Sequence, residues 1–221
     1  MQVASVSEAS MVLGVNEARV RQLVEAGDLP ARKVGRQWLI EADDLERFRR
    51  LPRSEGRPYG ARMAWGLLDL VSGGEAQWLD RFERSKAKRR LVENRLVDLV
   101  PRLRRRCEPH RFYAHPGVVE ALGDEVVRSG VSAAAEHGLD IVAHDEVEGY
   151  VQQHELAGLV ERYKLQPPDG MVNVMLRAVG DPWPFGAEQV APLVVVGLDL
   201  CEADDDRSRR AGHQALLEVQ P

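Results

Sequence analysis

Cysteine is scarce in this chain. Cys107 and Cys201 are two in 221 residues, too few for a disulfide framework, and a reduced, cytoplasmic setting fits best. No apolar run approaches the ~20 residues that cross a bilayer, so no membrane association is expected. The opening MQVASVSEAS lacks the basic-then-apolar pattern of a secretory signal. Catalytic signatures are missing as well: there is no P-loop, dinucleotide fingerprint or nucleophile elbow. A nucleotidyltransferase needs a Gly-Ser followed by paired acids that hold metal and triphosphate. Ser72-Gly73-Gly74 leads to Asp80, but Phe82 stands where the second acid belongs. Gly130-Val131-Ser132 leads to Asp140, but Ala143 and His144 follow without a paired carboxylate two residues on. Without convergent titratable groups, neither an enzyme nor a cofactor is expected. Cys107, His110 and His115 form a C-x2-H-x4-H cluster, but no second ligand pair follows, and His137, His144 and His154 are scattered. No metal is expected.

What is there is ordinary in amount and uneven in placement. The chain is 44% apolar and 29% charged, as folded soluble proteins are, and long enough for one large domain or two small ones. Its net charge of −5 hides a split: residues 1–111 carry 23 basic and 16 acidic side chains, residues 112–221 carry 7 and 19. The basic excess lies almost wholly in residues 51–111, because residues 1–50 hold eight of each sign. Such a chain offers one half to nucleic acid and turns the other elsewhere, or towards a basic protein.

The most legible stretch is residues 6–48. Ser7 is expected to cap a short helix with Met11 and Leu13 inward, and Gly14 to stop it. Asn16 is expected to cap a second helix whose Val20, Leu23 and Val24 share one face, with Gly27 at its end. Lys33 to Ile40 alternates polar and apolar around Gly35 and reads as a basic-tipped hairpin. Residues 41–50 make a third helix with Leu45 and Phe48 inward. Through LGVNEARVRQLVEAGDLPARKVGRQWLI, about a fifth of the chain resembles the winged helix-turn-helix of excisionase-like and MerR-like DNA-binding proteins. The resemblance implies that the second helix enters the major groove of duplex DNA.

With Val20, Leu23 and Val24 committed to a core, Glu17, Ala18, Arg19, Arg21 and Gln22 are left for the groove. Arg can read guanine, Gln adenine, Glu cytosine, and Ala a thymine methyl. Arg21 and Gln22 are expected close to DNA, with Glu17 and Ala18 nearest the bases. Arg19 could equally pair with Glu17 or Glu25. Lys33, Arg36 and Gln37 on the wing would meet phosphate or the minor groove, and Trp38 is assigned to the core. The neutral balance of residues 1–50 keeps open a winged module that binds protein instead of DNA.

Beyond the wing, LPRSEGRPYG (51–60) reads as a linker before a helix-rich α+β domain over residues 61–221. Residues 61–71 should be a helix with Ala64, Leu67, Leu68 and Val71 on one face, and residues 75–100 one or two more. The run Arg84–Arg90, with Arg102 and Arg104–Arg106, either meets phosphate, RNA or an acidic partner, or is a solvated face. Strands are expected at 126–127, 146–151 and 171–177, the last half-buried with Val172, Val174 and Leu176 on one face. Helices are expected at 118–122, 132–137 and 156–163. Residues 191–201 should be buried on most sides, and Asp205 or Asp206 should cap a last helix. Trp183 and Phe185, in a Pro-rich loop, either meet a partner or plug the domain's own core.

The second part, through RPYGARMAWGLLDLVSG, VVRSGVSAAAEHGLDIVA, NVMLRAVGDPWPF and APLVVVGLDLCEADDDRSRRAG, resembles AbiEi-type antitoxins of bacterial toxin–antitoxin modules. That resemblance implies an antitoxin that represses its own operon and counteracts a nucleotidyltransferase-like toxin, by direct binding or otherwise. A homodimer is left open. The competing readings are a stand-alone transcriptional or recombination-directionality regulator, whose C-terminal domain senses a ligand or sets oligomer state, and an interaction scaffold.

Overall fold

A computed structural model describes residues 3–25, 28–35, 37–50 and 57–219. It divides into two compact units, residues 1–56 and 57–221.

The first unit runs β1 (Val3–Ser5), α1 (Val6–Leu13), α2 (Glu17–Glu25), β2 (Arg32–Val34), β3 (Gln37–Glu41) and α3 (Ala42–Arg50). Its antiparallel sheet has the order β1-β3-β2. Helix α1 starts two residues earlier than expected, because Ser5 rather than Ser7 is its cap. The Ser5 hydroxyl accepts from the Glu8 N–H at 3.2 Å, and the Glu8 carboxylate accepts from the Ser5 N–H at 2.7 Å. Two orphan donors are thereby satisfied by one box. The shift also turns the helix, so that Val6, Ala9 and Leu13 are buried while Met11, expected inward, is 73% exposed. Gly14 ends the helix in the left-handed region (φ 64°), where a residue without Cβ is at ease. Asn16 caps α2, its side-chain oxygen accepting from the Arg19 N–H at 2.8 Å. Gly27, expected to end α2, lies outside the described residues. Val20, Leu23, Val24, Leu29, Ile40 and Leu45 complete the core, with Trp38 and Phe48 packed against it.

The second unit carries α4 (Ala61–Val71), α5 (Arg81–Glu93), α6 (Leu96–Leu99), β4 (Glu108–Phe112), α7 (Pro116–Gly123), β5 (Val127–Arg128), α8 (Val131–Ala134), β6 (Val147–Gln152), α9 (Leu156–Arg162), β7 (Val174–Val179), α10 (Leu193–Cys201) and α11 (Asp206–Glu218). The fold class is helix-rich α+β. Residues 57–60, read from the sequence as linker, lead straight into this unit. Tyr59 is buried there, with the Arg102 and Arg90 guanidinium carbons 4.3 and 5.1 Å from its ring centroid. Residues 51–56 lie outside the described residues.

The sheet order is β4-β7-β6-β5, with β6 and β7 parallel and the outer pairs antiparallel. Because side chains alternate along a strand, β6 and β7 feed two cores. Val147, Val151, Val174, Leu176 and Ala178 pack with α7 and α9 residues, and Tyr150 and Val179 join the core built on α4 and α10. Strand β7 is therefore buried on both faces, not half-buried as expected. It also starts later, since Met171 and Val172 are 61% and 36% exposed. A parallel neighbour and covering helices on both sides explain the difference. Residues 191–201 become the buried helix α10, and Asp205 caps α11 by accepting from the Ser208 N–H at 2.8 Å.

Between β6, β7 and α10 lies a charged cluster that the sequence did not announce. Asp199 is wholly buried, and it accepts from the Tyr150 hydroxyl at 2.8 Å and pairs with Arg177 at 3.2 Å. It also accepts from Ser129 and pairs closely with Arg106. Arg106 forks to both Glu202 oxygens at 2.9 Å and donates to the Tyr150 oxygen at 3.0 Å. Arg177 further pairs with Glu148. Arg106, expected in an outward basic run, is 1% exposed and faces inward. Burial alone would raise the Glu202 carboxyl pKa, yet the Arg106 charge and hydrogen bonds hold it down at about 2.

Candidate nucleic-acid interface

The candidate interface is assembled from α2 and the β2–β3 hairpin. With Val20, Leu23 and Val24 buried, α2 turns Ala18, Arg19, Arg21, Gln22 and Glu25 outward, and Glu17 is half exposed. Positions 17, 18, 21 and 22 fall on one stripe by their three- and four-residue spacing. Glu17 and Arg21 form an i,i+4 ion pair at 2.7 Å, both more than 40% exposed. An acceptor and a donor thus stand side by side at the helix start. A pair this open to water adds little stability and gives way readily to a base or phosphate.

For Arg19 the sequence leaves two expectations open, a place in the groove or a pair with Glu17 or Glu25, and the pair is not formed. Instead its Nη1 lies 3.4 Å from Gln22 Oε1, and Arg21 takes Glu17. Ala18 presents only a methyl group beside them, so the helix can approach a base edge closely at that point.

In the hairpin, Val34 faces Gln37 and Lys33 faces Trp38. Gly35 has φ 60°, a value suited to a two-residue hairpin turn. The Lys33 ammonium sits 5.4 Å from the Trp38 ring centroid, a cation–π contact that steadies an exposed side chain. Gln37 is exposed, and Arg36 lies outside the described residues. Arg32 is not among the residues expected to reach DNA. It is exposed on β2 next to Lys33 and loosely paired with Glu41 at 3.7 Å. The alternation of the hairpin was the available signal: β2 is an edge strand, exposed along its whole length.

Trp183 and Phe185, the pair considered for a partner surface, part company. Phe185 is 4% exposed and packs 5.2 Å from Trp65 and 4.9 Å from Tyr150 between ring centroids. It plugs the core and offers a partner nothing in this arrangement. Trp183 is half-buried, 5.1 Å from Phe185. It lines a cleft of about 180 Å³ with Glu125, Gln152, Glu155, Glu188 and Gln189. Among the described residues, no group of three His, Cys, Asp or Glu side chains is placed to hold a metal ion, and no helix is long and apolar enough to cross a membrane.

Residues 5–50 match the family model of a helix-turn-helix domain. No curated protein and no solved structure matches the chain. The first unit is accordingly a helix-turn-helix domain of the DNA-binding class, and the resemblance of the second part to antitoxins stands on its sequence phrases alone.

Proposed function

We propose that the protein is a cytoplasmic, non-enzymatic transcriptional regulator that reads duplex DNA through α2 and steadies itself on the backbone through the wing. The observation that carries this reading is the composition of the α2 face. Ala18, Arg19, Arg21 and Gln22 are exposed together on the second helix of a helix-turn-helix domain, beside a hairpin presenting Arg32, Lys33 and Gln37. These are the residue types that meet base edges and phosphates. The target is the operator of its own operon. The antitoxin-like phrases of the second part extend the proposal: the chain counteracts a nucleotidyltransferase-like toxin encoded beside it, with the half-buried Trp183 the aromatic to examine first.

The test uses the full chain and the DNA directly upstream of its gene, at about 100 mM salt because backbone-driven binding depends on ionic strength. A shift that Arg21→Ala weakens supports the reading; a shift indifferent to Arg21→Ala and Gln22→Ala removes α2 as the reading surface. Co-expression with the neighbouring gene tests the antitoxin half, which fails if growth inhibited by that gene is not restored.

The cleft beside Trp183 favours a second reading, a stand-alone regulator or recombination factor whose second unit senses a small ligand. A metabolite that raises the unfolding temperature of wild-type protein, but not of Trp183→Ala, would favour it.

A further inference from the structure

The charge needed to hold DNA is poorly supplied by the unit that reads it. Residues 1–50 carry as many acids as bases. Arg21 and Arg32 are each engaged by a glutamate of the same unit. The second unit holds the complementary feature on α5. Its inner side carries Ala87, buried, with Leu91, Arg84 and Arg90 partly covered. Its outer side carries Arg81, Lys86, Lys88 and Arg89, all exposed, together with Phe82 at 85% and Val92 at 87% exposure.

The acids at the start of this helix are occupied elsewhere. Asp80 accepts from the Glu83 N–H at 2.8 Å as the cap, and Glu83 returns to the Asp80 N–H at 3.0 Å and pairs with Arg62 at 3.2 Å. Glu93 pairs with Arg89, at 3.7 Å. Among the described residues, Arg81, Lys86 and Lys88 have no acidic partner. Arg81 and Lys88 stand at one border of the exposed half of the helix and Lys86 at the other, with the uncovered Phe82 ring between them, and none of the three cations meets an acid among the described residues.

We propose that the outer face of α5 is a second DNA-binding surface, which holds the sugar–phosphate backbone of duplex DNA without reading its sequence. The inference rests on the DNA-binding reading above and adds a division of labour to it: α2 selects the site and α5 supplies phosphate neutralisation. A helix of thirteen residues is about 20 Å long, and duplex of that length carries on the order of ten backbone charges. Phe82 gives the face an apolar contact for deoxyribose or a base step. Because the two units are joined in one chain, binding by either raises the local concentration of the other at the same DNA.

The test measures equilibrium binding of the full chain to two duplexes of equal length, the DNA upstream of its own gene and a scrambled sequence, from about 50 to 200 mM salt. Each phosphate contact contributes about 0.9 to the slope of log affinity against log salt. The triple variant Arg81→Gln, Lys86→Gln, Lys88→Gln should therefore flatten the slope by about 2 to 3. It should weaken binding to both duplexes by the same factor, on the order of tenfold or more, and leave their ratio unchanged. Lys86→Arg with Lys88→Arg should keep the wild-type slope, and Phe82→Ala should lower affinity for both duplexes without changing it. If wild type binds and the triple variant matches it in slope and affinity, α5 is not a DNA surface. If the triple variant instead loses only binding to poly-glutamate, the face belongs to an acidic protein and the proposal is wrong. If wild type binds neither duplex, the DNA-binding reading beneath it fails first.

Discussion

Arginines in the two units meet opposite fates. Arg21 in α2 is about half exposed and tied to one glutamate of its own helix. Arg106 is sealed beneath α10, divided between Asp199, Glu202 and Tyr150. A guanidinium in water keeps its hydration and is available to a partner, at little energetic consequence to the fold. A guanidinium out of water has lost that hydration and depends on every fixed acceptor around it. Availability for recognition and importance for folding are thus set by exposure, not by residue type. The comparison also divides the long basic run of the second unit: Arg106 belongs to the interior, and Arg81, Lys86 and Lys88 to the surface.

The comparison can be broken most sharply at Arg106. Arg106→Ala leaves the buried Asp199 with Arg177 alone and removes the guanidinium that both oxygens of the largely covered Glu202 accept from, and should destabilise the second unit by about 3–5 kcal/mol. Denaturant unfolding followed by tryptophan fluorescence measures it, and a loss below about 1 kcal/mol would show that water reaches the cluster. Leu23→Ala should cost the first unit about 2–3 kcal/mol by removing a buried side chain from a small core. DNA binding should be lost with it.

Acid provides a graded version of the first test. The Glu202 carboxyl lies at about 2 in the folded chain against an ordinary 4.5. Its stabilisation is complete above about pH 4.5 and is lost as pH falls towards 2, since the unfolded chain then binds the proton more readily. Glu202→Gln should be less stable than wild type at pH 7, and the two stabilities should converge in acid; parallel curves would contradict the pairing. Ser5→Ala should cost about 1 kcal/mol through loss of the capping box. The smallest effect on stability belongs to Arg21→Ala, within about 0.5 kcal/mol. Its expected effect on discrimination between DNA sequences is about 1–3 kcal/mol, visible as a change in operator preference.

The first unit was legible because its determinants are local. Gly14, Asn16 and the Val20-Leu23-Val24 face act within a few residues of one another, and the hairpin closes over two. Even there a neighbour overruled a local rule: pairing of β1 with β3 carries the chain to Ser5 and moves the cap from Ser7. The second unit's helices at 61–71 and 156–162 and its strand at 147–152 could be read from periodicity. Its sheet order could not, because a parallel pair is specified by contacts across many intervening residues. The charged cluster was hidden for the same reason, since Arg106 meets an aspartate 93 positions away and nothing near it in sequence marks it as interior. Phe185 was ambiguous in sequence because an aromatic between prolines serves a core or a surface equally well.

In the first unit, Ser5 closes β1 and Val6 opens α1, and Glu41 closes β3 just before Ala42 opens α3. Neither join contains a spare residue. A push on the hairpin travels through β3 into β1 and onward to both flanking helices, with no slack to absorb it. On the proposed DNA-binding role, a unit built this way is expected to favour sequences that bend or twist easily to suit it, even where no side chain touches a base.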